Sequence, residues 1–215
     1  MKKALILTLA LLVLVSTLCG CGALLGGNKY EALSGTWSAV IPDSAEEARE
    51  LLEAIEAYED EIAAADLYSL KYVKNVTFTE EKTYRFTFDT QGTIACVREF
   101  LDGYFHALYP IRVNLNDDYE MDFGGMSEYE FLAFYAELYG YTYYEEMLDD
   151  LSSSIYNYDN LETQMRETGT YTIEGNKIMC TITGTSKAEA MEYKIKDSTL
   201  TLTYVDGTEV YTKIG

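Results

Sequence analysis

Histidine is almost missing from this chain: His106 is the only one in 215 residues. It sits inside an apolar helical stretch, and no Gly-x-Ser-x-Gly turn positions a serine for attack. The sequence therefore offers no base with a nucleophile and an orienting group beside it. We read His106 as a structural residue, assign no catalytic residue and expect a protein that is not an enzyme. Cys96, Cys180 and His106 lack the spacing and the fourth partner of a zinc site, so neither a metal nor a cofactor is expected. Positive charge is also scarce, with 16 Lys and Arg against 36 Asp and Glu and a formal charge of -20. Phosphate backbones and anionic headgroups repel such a surface, which argues against nucleic acid as a partner, and self-repulsion favours a monomer.

Long hydrophobic runs are absent except at the start. Ala4 to Val15 is almost wholly apolar and follows Lys2 and Lys3, but a spanning helix needs about 20 residues. The run has the charge, apolar core and small-residue flank of a secretory signal over residues 1–20. Leu18-Cys19-Gly20-Cys21 behind it resembles a bacterial lipobox. The resemblance implies cleavage before Cys21, a diacylglycerol on that cysteine, and a lipid-anchored protein on the extracytoplasmic face of the cell membrane. Two acyl chains make a stable anchor. Loss of residues 1–20 removes two lysines and takes the charge from -20 to -22.

Cysteine is then reduced to Cys96 and Cys180. Cys180 alternates with Ile178 and Ile182 and points into a core, so both are read as free, buried thiols, with a bridge between them left open. The mature length suits one domain able to bury its core without staples.

Residues 21–33, with Gly22, Gly26, Gly27 and Asn28, read as a lipidated tether spanning about 20 Å. The domain over 34–215 opens with a strand in which Trp37, Ala39 and Ile41 share a face, ended by Pro42. Ser44 and Glu47 form a capping-box pattern, and Ala48, Leu51, Leu52, Ile55, Tyr58 and Ile62 predict a helix from about Ala45 to Ala65. Val76 and Phe78, then Tyr84, Phe86 and Phe88, alternate as a hairpin. Ile94, Val97, Leu101, Tyr104 and Leu108 predict a helix ended by Pro110. Ser127 with Glu130 and Thr142 with Glu145 start two more helices, to about Tyr139 and Tyr156, separated by Gly140. From Thr170 onward short alternating segments form an antiparallel meander. The fold class is thus mainly β with helical insertions (α+β), about eight strands closing a barrel, and helices at about 44–66 and 89–166 forming a layer packed on the sheet.

Two clusters invite a site. Asn114, Asn116, Asp117, Asp118, Glu120 and Asp122 offer oxygen ligands, but an EF-hand would want glycine where Tyr119 stands and a glutamate at the twelfth place. We read a solvated loop. Tyr139, Tyr141, Tyr143 and Tyr144 are candidate contacts for a ligand or a partner, against packing in the helical layer.

Gly35-Thr36-Trp37 heading the first strand, with the closing meander, resembles lipocalin-like (calycin-type) barrels, and in particular small lipoproteins of Gram-positive bacteria. The likeness covers Leu33 to Ile41 and Glu167 to Gly215; the helical segment between Asp89 and Glu167 departs from it. It implies that Trp37 closes the barrel base under a basic residue of the last strand. If Asp206-Gly207 is a two-residue turn, Val205 pairs with Thr208 and Lys213 faces inward opposite Leu200, placing it in that role; a one-residue bulge would turn Val210 and Ile214 inward instead. The function the resemblance implies is binding of a small apolar ligand. The alternative is a filled barrel that acts as an interaction or inhibitor module, with an envelope protein as partner.

Overall fold

The computed structural model describes residues 28–63, 65–114 and 123–215. The leader, the motif from Leu18 to Cys21 with the expected lipidation at Cys21, and the acidic run from Asn116 to Asp122 lie outside them. Among the described residues, no helix is long and apolar enough to cross a membrane.

Eight antiparallel strands follow one another around a closed barrel. They are β1 (Gly35–Pro42), β2 (Lys71–Phe78), β3 (Thr83–Phe88), β4 (Glu167–Glu174), β5 (Lys177–Ile182), β6 (Ala188–Lys196), β7 (Thr199–Thr203) and β8 (Thr208–Lys213). Closure is made by Trp37 pairing with Lys213 and Ser38 with Thr212, so neither end strand is left as an open edge. The inward positions are those the alternation predicts: Val76 and Phe78, Tyr84 and Phe86, Tyr171, Ile178 and Cys180, Leu200 and Leu202 are all buried.

One end of the barrel carries short connections. Gly175-Asn176 and Asp197-Ser198 are two-residue loops, with Gly175 and Asp197 at positive φ. Here the last stretch expected as tether instead folds into a helix, α1 (Lys29–Leu33), capped by Asn28, whose side chain accepts from the Tyr30 N–H. Leu33 is fully buried, and its carbonyl accepts from Trp37 Nε1 at 2.8 Å. Lys213 Nζ lies 5.1 Å from the Trp37 ring centroid. Gly35 at φ +123° makes room for it, since a Cβ there would stand 2.8 Å from the Lys213 side chain.

The last hairpin turns two residues wider than the expected Val205–Thr208 pairing. Thr203 pairs with Thr208, and Tyr204 N–H donates to the Gly207 carbonyl across a four-residue loop. Tyr211, not Lys213, therefore faces Leu200. A shift of two residues preserves the face, so Lys213 stays inward while Val210 and Ile214 remain exposed.

Both long insertions leave from the opposite end. Between β1 and β2 come α2 (Ala45–Ala54), α3 (Glu59–Ile62) and a 3-10 turn (Leu67–Ser69). Between β3 and β4 come α4 (Thr90–Asn114), α5 (Glu128–Leu138), α6 (Tyr144–Ser154) and α7 (Tyr158–Met165). The single helix expected over 45–65 is broken at Glu56, which adopts φ 61°. Its stripe survives the break because Ile62 still enters the same core as Leu51 and Leu52. Pro110 does not end α4, which continues to Asn114. An interior proline costs about 3 kcal/mol, and packing of Leu108 before it and Val113 after it in the helical core opposes that cost. The expected Thr142–Glu145 capping box does not form; Tyr143 occupies the N-cap, and the Glu145 carboxylate is taken by Arg98 of α4. Asn157 caps α7, which the hydrophobic stripe did not separate from α6.

The helices bury most of their apolar surface against one another, in a core distinct from that of the barrel. Among the described residues, two main seams join this layer to the sheet. α4 lies along β2, where Thr93 Oγ1 accepts from the Val73 N–H at 2.9 Å. Tyr158 of α7 stacks on Phe88 of β3.

Within the helical core lies an ion pair between Glu61 of α3 and Arg112 of α4, each 4% exposed. The Tyr58 N–H donates to Glu61 Oε2 at 2.8 Å, and the hydroxyls of Tyr104 and Tyr135 point to the same carboxylate at 3.4 Å. The pair joins the two insertions. Removing one partner of such a pair strands a buried charge. Arg112→Leu is expected to cost about 3–5 kcal/mol, and Trp37→Ala about 3–5 kcal/mol through the cavity it leaves. Urea melts of the 28–215 domain compare both; an unchanged midpoint for either shows that its site is not the lock described.

Candidate functional site

The base half of the barrel is packed solid around Trp37, Phe78, Tyr171, Leu200 and Tyr211, each no more than 1% exposed. The mouth half holds a cavity of about 550 Å³. Its walls come from Phe86, Cys180, Ile182 and Met191, and the end of α7 supplies Met165 and Arg166 at the rim. The helical layer covers the β2–β3 side of the mouth, and the cavity opens beside β4, β5 and β6.

Strand alternation places charge inside this barrel. Lys74 shares the phase of Val76 and Phe78; Glu209 shares that of Tyr211. Between their strands β1 presents the small Ala39 inward, and Lys74 Nζ reaches both carboxylate oxygens of Glu209, at 3.1 and 3.2 Å. The same ammonium lies 4.8 Å from the Phe86 centroid and 5.6 Å from that of Tyr204. The Tyr211 hydroxyl donates to Glu209. The Tyr204 hydroxyl is buried beside Glu209 and Tyr211 without a hydrogen bond of good geometry to either.

Tyr84 and Glu167 form the second polar feature, the hydroxyl donating to Glu167 Oε1 at 2.7 Å. Gly169 makes this possible. It pairs with Tyr84, and a Cβ there would fall 2.1 Å from the Thr181 carbonyl oxygen and 2.6 Å from the Tyr84 ring. Glu189, which pairs with Cys180 across β5 and β6, points the same way at the rim. Burial, followed by Glu167 and Glu189, pushes the Cys180 thiol up to about 12. Cys180 is thus a buried, protonated wall residue, and Cys96 is likewise a free thiol; the bridge left open by the sequence is not formed.

The four tyrosines singled out by the sequence do not converge. Tyr139 donates to the Ile55 carbonyl at 2.6 Å, and Tyr144 to Asp102 Oδ1 at 3.0 Å, both knitting the helical layer together. Tyr141 is bonded to Asp150, and only Tyr143 is exposed, at 70%. His106 lies half exposed between Glu128, 2.7 Å from Nδ1, and Asp102, 3.5 Å from Nε2. No group of three or more His, Cys, Asp or Glu among the described residues is placed to hold a metal.

Lys74, Glu167, Glu189 and Glu209 escaped the sequence reading. A signal existed for three of them: Lys74, Glu189 and Glu209 each stand at the inward phase of a strand two places before a buried apolar or aromatic residue, Val76, Met191 and Tyr211. Comparison of the chain with protein-family models, with curated proteins and with solved structures gives no match.

Buried hydroxyls and the thiol share one pH consequence. Burial raises Tyr139, Tyr158 and Tyr171 to about 12, and Cys180 equally. Acids with raised folded values add stability that is complete below their unfolded values, near 9 for the thiol and 10 for tyrosine, and is lost as pH rises through the folded ones. Stability should hold to about pH 9 and collapse between about pH 10 and 12. Tyrosinate absorbance and circular dichroism followed together should move as one transition; stepwise ionisation with the fold intact would show that these hydroxyls are open to water.

Proposed function

We propose that this chain is a lipid-anchored, extracytoplasmic lipocalin-like protein that binds a small molecule with an apolar body in the mouth of its barrel. The observation that carries this reading is the cavity of about 550 Å³ above a solid base. Pockets for small molecules commonly enclose about 300–1,000 Å³, with apolar walls and a few placed polar groups. Phe86, Ile182 and Met191 supply the walls; the Lys74–Glu209 and Tyr84–Glu167 pairs supply the polar groups. Binding suits these residues better than catalysis, because the thiol in the wall is held protonated and the lysine is engaged by a carboxylate. The anchoring rests on the sequence from Lys2 to Cys21. It would set the barrel base, from which α1 leads back to the tether, nearer the membrane than the mouth.

The second reading, an interaction module at the envelope, draws on the helical layer, where Tyr58, Tyr68, Tyr129 and Tyr143 are each at least 65% exposed. It needs no ligand.

Titration with N-phenyl-1-naphthylamine, a neutral fluorescent probe, separates the two. We expect saturable binding, a rise in melting temperature equivalent to roughly 2.7 kcal/mol at a hundredfold excess over Kd, and loss of both in Ile182→Trp, which fills the cavity. A probe that fails to bind, or binds the filled variant equally, favours the interaction module. Mass spectrometry of the membrane fraction should find the lipid on Cys21, and Cys21→Ser should leave the precursor uncut.

A further inference from the structure

We infer that the occupant of the mouth cavity is an organic cation, with an ammonium group carried on an apolar body. The inference rests on the cavity being a ligand site and adds the chemistry of the head group.

Four charged residues line the cavity: Lys74, Arg166, Glu167 and Glu189. The two cations already have carboxylates. Lys74 is held by both oxygens of Glu209, and Arg166 by Glu162. An incoming anion would have to displace one of these carboxylates and would meet Glu167 and Glu189 on the way. The two acids are differently placed. Glu167 accepts one hydrogen bond from a neutral tyrosine hydroxyl, which leaves its charge uncompensated. Among the described residues Glu189 forms an ion pair with Lys187, whose side chain is 80% exposed, and a surface pair of that kind is weak.

The two carboxylates flank one spot. They belong to β4 and β6, and β5 between them turns Cys180 and Ile182 inward. Burial raises the Tyr84 hydroxyl and the Cys180 thiol, and both carboxylates raise each further. A cation at the same spot would meet the opposite sign of the same field. The wall there is aromatic: Tyr84 and Phe86 pack edge to face at 5.7 Å, and a ring face attracts an ammonium. Lys74 already shows that attraction against Phe86 and Tyr204. The buried Tyr204 hydroxyl, with no well-formed bond of its own, is a further acceptor in the cavity lining. The acidity of the whole chain raises the local concentration of cations outside the mouth.

A series with one chain length tests this: decylamine, decanol and decanoate below their micelle concentrations, each displacing N-phenyl-1-naphthylamine from the 28–215 domain. Decylamine should displace at about tenfold lower concentration than decanol, the size of one charge-assisted contact, and decanoate should be weakest. Glu167→Gln with Glu189→Gln should bring decylamine to the decanol level. Glu189→Gln alone, at an exposed position that leaves the Tyr84 bond intact, should remove part of the preference without altering the melt. Equal displacement by all three, or strongest displacement by decanoate, overturns the cation while the bound probe upholds the cavity. A decylamine preference that persists in the double variant also overturns it, assigning the effect to the general acidity of the surface. If the probe itself does not bind, the ligand site fails and the head group with it.

Discussion

Closure of β1 onto β8 is the constraint on which the rest of this molecule depends. An eight-stranded sheet of this length left open would expose the backbone donors and acceptors of two edge strands. Here the only shared register between those strands is short, Trp37 with Lys213 and Ser38 with Thr212. The closure is therefore secured by side chains as much as by backbone. Trp37 bonds to α1 through its indole and lies under Lys213, and the absence of a side chain at Gly35 leaves space for the lysine stem. Because the same residues plug the base, sealing the edge and filling the lower core are one event.

The base being solid, the barrel can hold a cavity only at the other end, and this is where the chain spends its two long insertions. They do not plug the mouth. They bury their own apolar stripes around Leu52, Phe105, Phe131 and Leu148, and they touch the barrel through α4 on β2 and α7 on β3. A layer with its own core can stand beside the mouth without collapsing into it. The Glu61–Arg112 pair fits that arrangement, since it ties together two segments separated in sequence by β2 and β3. A buried pair of this kind adds little net stability over an apolar one, yet it penalises any packing that separates its members.

Polar groups inside the barrel follow from the same geometry. Near the base the inward positions are apolar or aromatic apart from Lys213 over Trp37, whereas toward the mouth the inward phase carries Lys74, Glu167, Glu189 and Glu209. This change along β2, β4, β6 and β8, from dry to charged, separates a packed half from a cavity-bearing half within one continuous sheet. Ala39 and Gly169 are the small residues that let it work, the first lying between Lys74 and Glu209, the second under the Tyr84 ring.

Much of this was legible in the residues themselves. Alternation of period two in β2 to β8 and the change to helical spacing after Gly92 determined the strands, the main helices and their order, because both depend on neighbours a few places apart. Ser44, Ser127 and Gly140 marked helix ends for the same local reason, and the parity of β8 put Lys213 on the inward face despite a turn two residues wider than expected. Tertiary structure decided what local spacing does not contain: whether the helices pack on the sheet or on each other, where Pro110 is tolerated, and that Glu145 binds Arg98 in place of capping its own helix. It also decided the cavity. Glu167, Glu189, Lys74 and Glu209 come from four strands and meet only once the sheet closes, so their pairing is a property of the closed barrel and of no segment of the chain alone.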